Sequence, residues 1–450
     1  MNTSIRFLTL SILFILFFSV KVFAAAQDTK LLGLDEAISI ALKQSPVLKA
    51  SKNELNATTF GVRAERGKFF PQITGYADYS RKSDPVVVVP IKEFGGKPPS
   101  FSRDQYAVGI RILIPVYEGG RLWARLSAAK LHEEIAKKNL SLTRQDLIAN
   151  VTNTFNQILY LRELVKAQKE SLHALEKARK DASLKLKIGK IAPVDLMRMD
   201  TQVAAQKQEI ISAKEEEKRA INALCQLIGW KDKWLPNIKG YLSDSINGPD
   251  TDNPDSLIKD ALKRRPDILA SQASVKKAEA ELKYAKGWHL PSLNLVGDYS
   301  RHAGSGLRYD EEVWSGGVAL SLNIFSGGTI SAQVSEAASR LQAEMRRLQN
   351  QKLKARREIL DSLSRLREAL HRHRVAKAVV KTARETFRIE QLKYDTGAGS
   401  VTDSLLAQAQ WQRAIADEVS ARFLIQKATV DLRLALGLID KYKKENQGSE

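Results

Sequence analysis

The sequence contains a single cysteine, Cys225, among 450 residues. One thiol cannot form an internal disulfide, and no cysteine follows the N-terminal apolar segment to carry a lipid. Because Leu224, Leu227 and Ile228 surround it in the chain, we expect Cys225 to be a buried small hydrophobe rather than a reactive thiol.

Long apolar runs are absent after the first 26 residues. The one run that approaches membrane length is Phe7 to Val20, which follows Arg6 and precedes the small residues at 24–26. This pattern is typical of a secretory signal peptide, which we predict over residues 1–26. An N-terminal membrane anchor is the alternative interpretation of the same run. The rest of the chain excludes a polytopic helical membrane protein.

Acidic residues are outnumbered, since 71 Lys and Arg stand against 51 Asp and Glu and give a formal net charge of +20. With 43% hydrophobic and 27% charged residues, the composition excludes a disordered chain. In a cytoplasmic protein such an excess of basic residues suggests a nucleic-acid partner. For an exported chain, acidic partners, anionic lipid headgroups or anionic cargo are expected instead.

Glycine and proline are both absent from two long stretches, Arg121 to Ile188 and Thr329 to Thr396. Each stretch is predicted to be one long helix. Apolar residues in the second stretch recur at alternating spacings of four and three, which is the period of left-handed coiled-coil packing. A second apolar stripe beside this seam indicates that the helix has neighbours on two sides. Its members are Leu353, Leu360, Leu363 and Leu370.

The mature chain contains two copies of one unit. Pro46 and Pro71 recur 220 positions later as Pro266 and Pro291, and the two residues before each long stretch, 119–120 and 327–328, are glycine pairs separated by 208. The change in offset reflects a longer loop in the first copy, between Ser83 and Arg103. Each copy is therefore predicted to contain a helix, a strand-loop-strand segment, a long helix and a medium helix.

These boundaries give a domain layout. The first repeat covers 27–230, with strands within 72–117, a long helix at 121–188 and a medium helix at 195–228. The second covers 255–438, with strands within 292–325, a long helix at 329–396 and a medium helix at 403–436. Residues 231–254 are predicted to be a linker or equatorial element and 439–450 a polar tail. Asp195 and Asp403 are candidate N-caps of the medium helices.

The strand segments alternate apolar and polar residues over about ten positions, the length that crosses a bilayer when tilted. Asp78, Arg111 and Asp298 all fall on the polar face. A soluble sheet with one buried face is the alternative. Four strands per chain cannot close a barrel with a usable lumen, so a membrane location requires several chains to share one barrel. The residues predicted to face lipid are Tyr106, Ile110, Ile112, Ile114, Trp314, Val318, Leu320 and Leu322.

With its duplicated order and doubled spacing, the chain resembles the TolC-like outer-membrane efflux channel family over nearly all its mature length. The matching motifs are the strand starts at Pro71 and Pro291, the segments 117–121 and 325–328, and the turns 186–195 and 392–403. The resemblance implies a mainly α fold with membrane β. Long coiled-coil helices would form a trimeric periplasmic α-barrel, joined to a shared 12-stranded outer-membrane β-barrel with four strands per chain.

The resemblance also implies roles for residues at the turns. Asp403 matches an acidic position that lines the periplasmic entrance, and Tyr394 matches a position in the polar network that holds the entrance shut. Two positions depart from the family pattern, because Leu406 replaces a second acid and Gly399 a basic residue. A periplasmic adaptor, the membrane fusion protein, is expected to dock at Gly189 to Asp195 and at Gly397 to Asp403.

The implied function is a homotrimeric channel-tunnel, the exit duct of a tripartite efflux or type I secretion system. An inner-membrane transporter, a periplasmic adaptor and outer-membrane lipid are the expected partners, with no nucleic acid, no cofactor and no metal. A periplasmic coiled-coil adaptor or scaffold without a membrane barrel is the nearest alternative. A basic nucleic-acid-binding coiled coil is the other, which the signal peptide opposes. We expect no catalytic residues, because His132-Glu133-Glu134 does not complete a zinc-binding H-E-x-x-H motif.

Overall fold

The computed structural model describes residues 31–90, 100–231, 235–242, 253–309 and 311–441. The predicted signal peptide lies outside these residues, as do most of the linker and of the polar tail. Within the described ranges no helix is both long enough and apolar enough to cross a membrane.

The first repeat begins with the short strand β1 (Leu31–Leu32) and the helices α1 (Leu34–Gln44) and α2 (Pro46–Gly67). Two long strands, β2 (Gln72–Val87) and β3 (Phe101–Glu118), lead into the helices α3 (Arg121–Lys187) and α4 (Pro193–Ile228). The short strand β4 (Asn237–Ile238) follows and pairs in parallel with β1.

The second repeat has the same order. It contains α5 (Pro254–Arg264), α6 (Pro266–Lys286), β5 (Ser292–Ala303), β6 (Glu311–Ser321), α7 (Thr329–Thr396) and α8 (Val401–Ala435). Single 3-10 turns lie at Gly287–His289 and Ile439–Lys441. The predicted class is confirmed, since long helices dominate and β2, β3, β5 and β6 form one antiparallel sheet in that order.

The first helix of each repeat is divided in two, and our prediction of a continuous helix there was wrong. The breaks fall at Ser45 and Arg265, whose ψ angle is 124° in both cases. Each of these residues precedes a proline, and a proline ring disfavours the helical conformation of the residue before it. Pro46 and Pro266 then open the next helix, at a position where a missing N–H costs nothing.

Three further predictions about the strands and the tail need correction. The strands β2 and β3 have 16 and 18 residues rather than about ten, and they extend into the loop predicted from Ser83 to Arg103. Leu322 lies beyond the end of β6 and is therefore not a strand residue. Ile439, assigned to the polar tail, is fully buried.

The main core lies where α1, α3 and α4 meet, and the small β1–β4 ladder closes it. Leu32 and Ile238 from these two strands are buried with Ile158 and Leu224 of the helices. Cys225 packs at the edge of this cluster, and burial raises the pKa of its thiol, as expected for an inert cysteine. Two residues per strand gave no period-two pattern, so this ladder could not be predicted.

A buried ion-pair network holds the junction between α5 and α6 against the neighbouring helices. Arg265 Nη2 lies 2.7 Å from Asp267 Oδ2 and 2.7 Å from Glu358 Oε2 of α7. Its Nη1 donates to the carbonyl oxygen of Ala435 at 3.0 Å. These contacts hold α5 and α6 against α7 and α8 at the proline break.

Candidate functional site

The two ends of each long helix, α3 and α7, lie in different surroundings. At one end the helices meet the sheet, and at the other they reverse in two tight turns. Gly189 and Gly397 end α3 and α7 in the left-handed region, with φ of 72° and 80°. Glycine adopts this conformation without steric cost, which is why it terminates so many helices.

Asp403 lies in the first turn of α8 but is not its N-cap, so that prediction was wrong. The cap is Ser400, whose Oγ accepts a hydrogen bond from the Asp403 backbone N–H at 3.1 Å. The Ser400 hydroxyl in turn donates to Asp403 Oδ2 at 2.7 Å. Asp403 is exposed, so its carboxylate faces solvent at the tip while its backbone completes the cap.

Asp195 occupies the corresponding place in α4 and is not an N-cap either. Helix α4 is preceded by Ala192 and opens with Pro193, and Ala192 makes no side-chain cap. The Asp195 carboxylate instead lies 3.3 Å from Arg198 Nη1, one turn along the helix. A negative charge in the first turn is also stabilised by the helix dipole.

Tyr394 is buried at the tip in an apolar cluster that contains residues from all four long and medium helices. The ring packs with Ala182, Met199 and Val401, and Lys185 Nζ lies 4.0 Å from the ring centroid. The Tyr394 hydroxyl has no hydrogen-bond partner among the described residues. Burial raises the pKa of Tyr394, and nearby carboxylates, Asp395 first, raise it further. Within the single chain Tyr394 is therefore a packed aromatic side chain.

Two polar contacts join the first-repeat turn to the second-repeat turn, and sequence reasoning missed both. Lys185 Nζ lies 3.4 Å from Asp395 Oδ1, and Arg198 Nη1 donates to Thr402 Oγ1 at 3.0 Å. The sequence indicated only that Gly399 stands where the family pattern has a basic residue. A Cβ atom at Gly399 would lie 2.8 Å from the Cβ of Lys393 in α7, so this turn has no room for that side chain.

The sheet separates its residues into two faces, as the register shows. Ile112 of β3 lies opposite Ile73 of β2 and Gly297 of β5, while Tyr299 of β5 lies opposite Trp314 of β6. All predicted lipid-facing strand residues except Leu322 therefore share one face. Exposure along β6 is high, at 78% for Trp314, 65% for Val318 and 70% for Leu320.

The opposite face of the sheet is polar at its centre. Arg111 Nε lies 3.3 Å from Asp298 Oδ2 on the neighbouring strand. The Tyr76 hydroxyl donates to Asp298 Oδ1 at 2.9 Å, and the Arg111 guanidinium lies 5.0 Å from the centre of the Tyr76 ring. One face is thus suited to apolar surroundings and the other to water.

No part of the described chain shows the arrangement of a reactive centre. Among the described residues no group of three or more His, Cys, Asp or Glu side chains could hold a metal ion. The features that stand out are structural surfaces: an amphipathic four-stranded sheet at one end, two joined turns at the other, and exposed helix faces between them.

Comparison with known proteins gives a consistent result. The family described as "Outer membrane efflux protein" matches residues 37–230 and 257–438. The cobalt-zinc-cadmium resistance protein CzcC of Cupriavidus metallidurans is 26% identical over 264 residues, which cover 59% of this chain and 57% of CzcC. The outer membrane protein TolC of Escherichia coli is 19% identical over 88% of this chain and 80% of its own.

A solved structure shows the same fold. The outer membrane channel CmeC of Campylobacter jejuni superimposes with a TM-score of 0.77 at 19% identity, covering 92% of this chain and 88% of CmeC.

Proposed function

The chain belongs to the outer membrane efflux protein family and is a TolC-like outer-membrane channel of Gram-negative bacteria, and from this premise we propose that three copies assemble into one exit duct. The family assignment excludes the alternative of a coiled-coil adaptor without a membrane barrel. The same assignment makes the protein a transport channel rather than an enzyme. What supports the assembly is the relation between the two repeats, which we describe first for the sheet and then for the helices.

The repeat offsets of 220 and 208 reappear in the strand register. Ile73 pairs with Ile112 in the first repeat, and the positions 220 and 208 further on, Leu293 and Leu320, pair in the second. We therefore propose that the two repeats, at 27–230 and 255–438 around the element at 231–254, are structurally equivalent. A contact between repeats inside the chain then predicts a contact between chains.

Within the described chain the sheet has two free edges, on β2 and β6. Unpaired backbone groups are not tolerated in the hydrocarbon region of a bilayer, so both edges need partners. Inside the chain, β3 of the first repeat pairs with β5 of the second. Applying the offsets, β6 pairs with β2 of a partner subunit, which extends the sheet in the same sense until it closes on itself.

The helices repeat the same relation. Inside the chain α3 packs against α6 and α8, so α7 is expected to pack against α2 and α4 of a partner subunit. The faces concerned are apolar and exposed in the single chain, at 62% for Val375 and 47% for Val379 on α7, and at 60% for Ile211 on α4. Such stripes mark a missing helical neighbour.

These exposed residues also lie at matching levels along the helices. The ion pairs Glu176–Lys207 at 3.0 Å and Arg162–Glu217 at 2.6 Å fix the level of α4 on α3. Interpolation between these two ion pairs places Ile211 of α4 beside the α3 residues near position 170. Adding 208 gives the α7 residues between Val375 and Val379, so the two apolar faces meet when chains are placed side by side.

Three copies supply twelve strands and twelve long or medium helices. A barrel of about eight strands is filled by its own side chains, whereas a larger one leaves a lumen. We propose that the apolar sheet face contacts outer-membrane lipid, that the polar face with Arg111 and Asp298 lines the lumen, and that the helices continue the duct into the periplasm.

The tip of the helices is then the periplasmic entrance. We propose that three Asp403 carboxylates, one from each copy, form its constriction, and that the turns at Gly189–Asp195 and Gly397–Asp403 receive a periplasmic adaptor. An inner-membrane transporter would complete the assembly and choose the cargo, which the duct conducts passively.

Cell fractionation and electrophysiology test this proposal. The protein should be recovered from the outer membrane as a detergent-solubilised trimer, and the trimer should conduct ions in planar bilayers. A monomer that is soluble without detergent would contradict it.

A further inference from the structure

The two long helices carry basic side chains on matching faces in the half of each helix that lies toward the tip. Over residues 166–180 of α3 and 374–388 of α7, ten Lys and Arg stand against three acidic residues. The two stretches are separated by 208 positions, the offset that relates the repeats. The inference drawn from them rests on the proposed trimer, in which each stretch occurs three times.

Contacts at the middle of α3 identify the face on which its basic residues lie. Arg162 donates to the carbonyl oxygen of Ile238 in β4, and a Cβ atom on Gly240 would lie 3.5 Å from the side chain of Leu159. Residues seven apart lie on the same face of a coiled-coil helix, so the face that β4 covers continues toward the tip at multiples of seven from Leu159 and Arg162. The residues at these positions include Lys166, Lys169, His173 and Lys180.

Helix α7 repeats this arrangement. Its middle is covered by α5, where Leu363 is buried together with Ile258 and Ala261. The same face continues toward the tip at multiples of seven from Leu363 and from Arg367, the counterpart of Leu159. The residues at these positions include Arg374, Lys377, Lys381, Arg384 and Arg388. We call the four residues on α3 and the five on α7 the outer basic strips, and all nine side chains are exposed.

The charges of the outer basic strips are mostly uncompensated. Within the described part of the chain, the one ion pair that a strip residue makes is that of Arg388 with Glu385, at 2.7 Å. Glu176 lies on the same face of α3, but its carboxylate is paired with Lys207 of α4 at 3.0 Å. Each strip therefore presents a net positive charge to its surroundings.

In the proposed trimer the outer basic strips face the periplasm rather than the lumen. The strand β4 lies against α3, and the helix α5 against α7, on the side of the strips. Three copies of these elements would obstruct the duct if they lay inside it, so this side is the outer side. Lys166 is 45 residues beyond Arg121, where α3 leaves the sheet, which is roughly 70 Å along the helix. Because charges are screened within about 8 Å at physiological salt, lipid headgroups are excluded as the partner of the strips.

The chemistry of the strips favours a polyanion over a folded protein. Their basic groups follow one another every three or four residues, which is about 5 Å along the helix. None of the nine residues is apolar, whereas a stable interface between proteins has an apolar core. A flexible polymer that bears carboxylates needs no such core, because it binds through many separate ion pairs.

We propose that the outer basic strips bind peptidoglycan, the carboxylate-bearing polymer of the periplasm through which the duct passes. Its peptide stems carry free carboxylates, and Lys and Arg side chains donate charge-assisted hydrogen bonds to such groups. Six strips surround one trimer, so several stems bind at once and weak single contacts add up. This binding holds the duct in the cell wall at a level between the β1–β4 ladder and the tip.

Co-sedimentation with purified peptidoglycan sacculi tests the proposal on the full-length trimer in detergent. The parent should sediment with the sacculi at low salt and should be released near 1 M salt, where the screening length falls to about 3 Å. Sacculi whose carboxylates have been amidated should bind little of it. Arg374→Gln combined with Arg384→Gln should lower the affinity about fourfold, because each exposed ion pair contributes about a factor of two.

Arg365→Gln combined with Arg372→Gln is the matched control. These arginines stand two residues before Arg367 and Arg374, which places them about 200° away around α7. The control removes the same charge from the opposite face of the same helix and should bind sacculi as tightly as the parent.

Three results would overturn the proposal. They are a parent that does not sediment with sacculi, an equal loss of affinity in the strip variant and the control, and a strip variant that binds sacculi normally but shifts the ion selectivity of the channel. The last result would place the strips in the lumen, where they would serve anionic cargo. A trimer band on a gel shows that each variant assembles, and a parent protein without channels would instead overturn the proposed function.

Discussion

Gly119 and Gly287 pack backbone against backbone where the sheet meets the helices. A Cβ atom on Gly119 would lie 2.5 Å from the carbonyl oxygen of Gly287, and one on Gly287 would lie 2.7 Å from the carbonyl oxygen of Gly119. Arg121 covers the contact from one side, with its guanidinium 3.8 Å from the centre of the Trp288 ring. This is a contact between the two repeats, and the proposed trimer gives it a counterpart between copies.

Gly287→Ala should destabilise the chain by about 1–3 kcal/mol, because the added methyl group has no space and the surrounding backbone must move. The φ angle of Gly287 is −61°, so alanine adds no backbone strain and the effect is purely steric. A lower apparent melting temperature of the purified protein in detergent is the expected observation.

Gly67→Ala is the informative control, since Gly67 is the counterpart of Gly287. In a single chain a Cβ at Gly67 has nothing within 4 Å, and the substitution should not weaken the fold. In the proposed trimer the repeat offsets place Gly67 beside Gly327 of the partner subunit, so Gly67→Ala should impair assembly and release monomer. A variant that assembles as fully as the parent would show that the contact between repeats has no equivalent between copies.

The sheet face proposed to contact lipid can be tested by placing a charge on it. Val318→Arg should destabilise the barrel by about 2–4 kcal/mol, the cost of arginine at mid-bilayer on a lipid-facing strand position. Ser315→Arg lies on the opposite face of the same strand and should be tolerated. Heat-resistant trimer on a gel gives the measurement, and equal loss in both variants would contradict the assignment of faces.

Asp403 is expected to set the affinity of the entrance for multivalent cations. Asp403→Ala removes the three carboxylates of the proposed ring and should weaken cation block from the periplasmic side about tenfold or more, because converging charges concentrate counter-ions. Ser400→Ala is the matched control, since it removes the cap at a cost of about 1 kcal/mol but keeps the charge. If Asp403→Ala leaves the block unaltered, Asp403 does not line the constriction.

The network around Arg265 should make stability depend on pH. Burial alone would raise the pKa of Asp267, but hydrogen bonds and charge from Arg265, with further bonds from Gln351 and the Ile268 N–H, lower it below its usual value. Because the folded-state pKa is depressed, the stabilisation is fully present above the unfolded value of about 3.9 and is lost as the pH falls through the folded value.

Arg265→Met measures this contribution. It leaves Asp267 and Glu358 without their arginine partner and should cost about 3 kcal/mol at neutral pH. The deficit should shrink in acid, where Asp267 is protonated in both variants. Melting temperatures compared at neutral and acidic pH give the result, and a deficit that does not depend on pH would show that packing rather than charge is lost.

Much of this architecture could be predicted because it depends on local and periodic signals. The absence of glycine and proline defined α3 and α7, and the alternation in β3 and β6 defined the faces of the sheet. The two offsets, read from a few prolines and glycines, recur in the strand register.

Features that depend on contacts between distant segments could not be predicted. Lys185 and Asp395 are separated by 210 positions, and no local pattern distinguishes them from other surface charges. Ser400 was overlooked as a cap because Asp403, three residues on, is itself a common capping residue type, although the Ser-x-x-acid spacing is a capping signal. The breaks at Ser45 and Arg265 were not predicted, although each of these residues is followed by a proline that disfavours the helical conformation.

The most direct test of the assembly is a disulfide between the two free edges of the sheet. Arg111 lies opposite Asp298 inside the chain, and in the proposed trimer their counterparts are Ala319 and Asp78 of the partner subunit. Opposed residues on antiparallel strands lie within disulfide range. Asp78→Cys with Ala319→Cys, in a chain that also carries Cys225→Ala, should give covalent trimers on a non-reducing gel. Ala77→Cys with Ala319→Cys, which points one residue to the opposite face, should not. Monomer alone from both pairs, in protein that is folded in the outer membrane, would contradict the shared barrel.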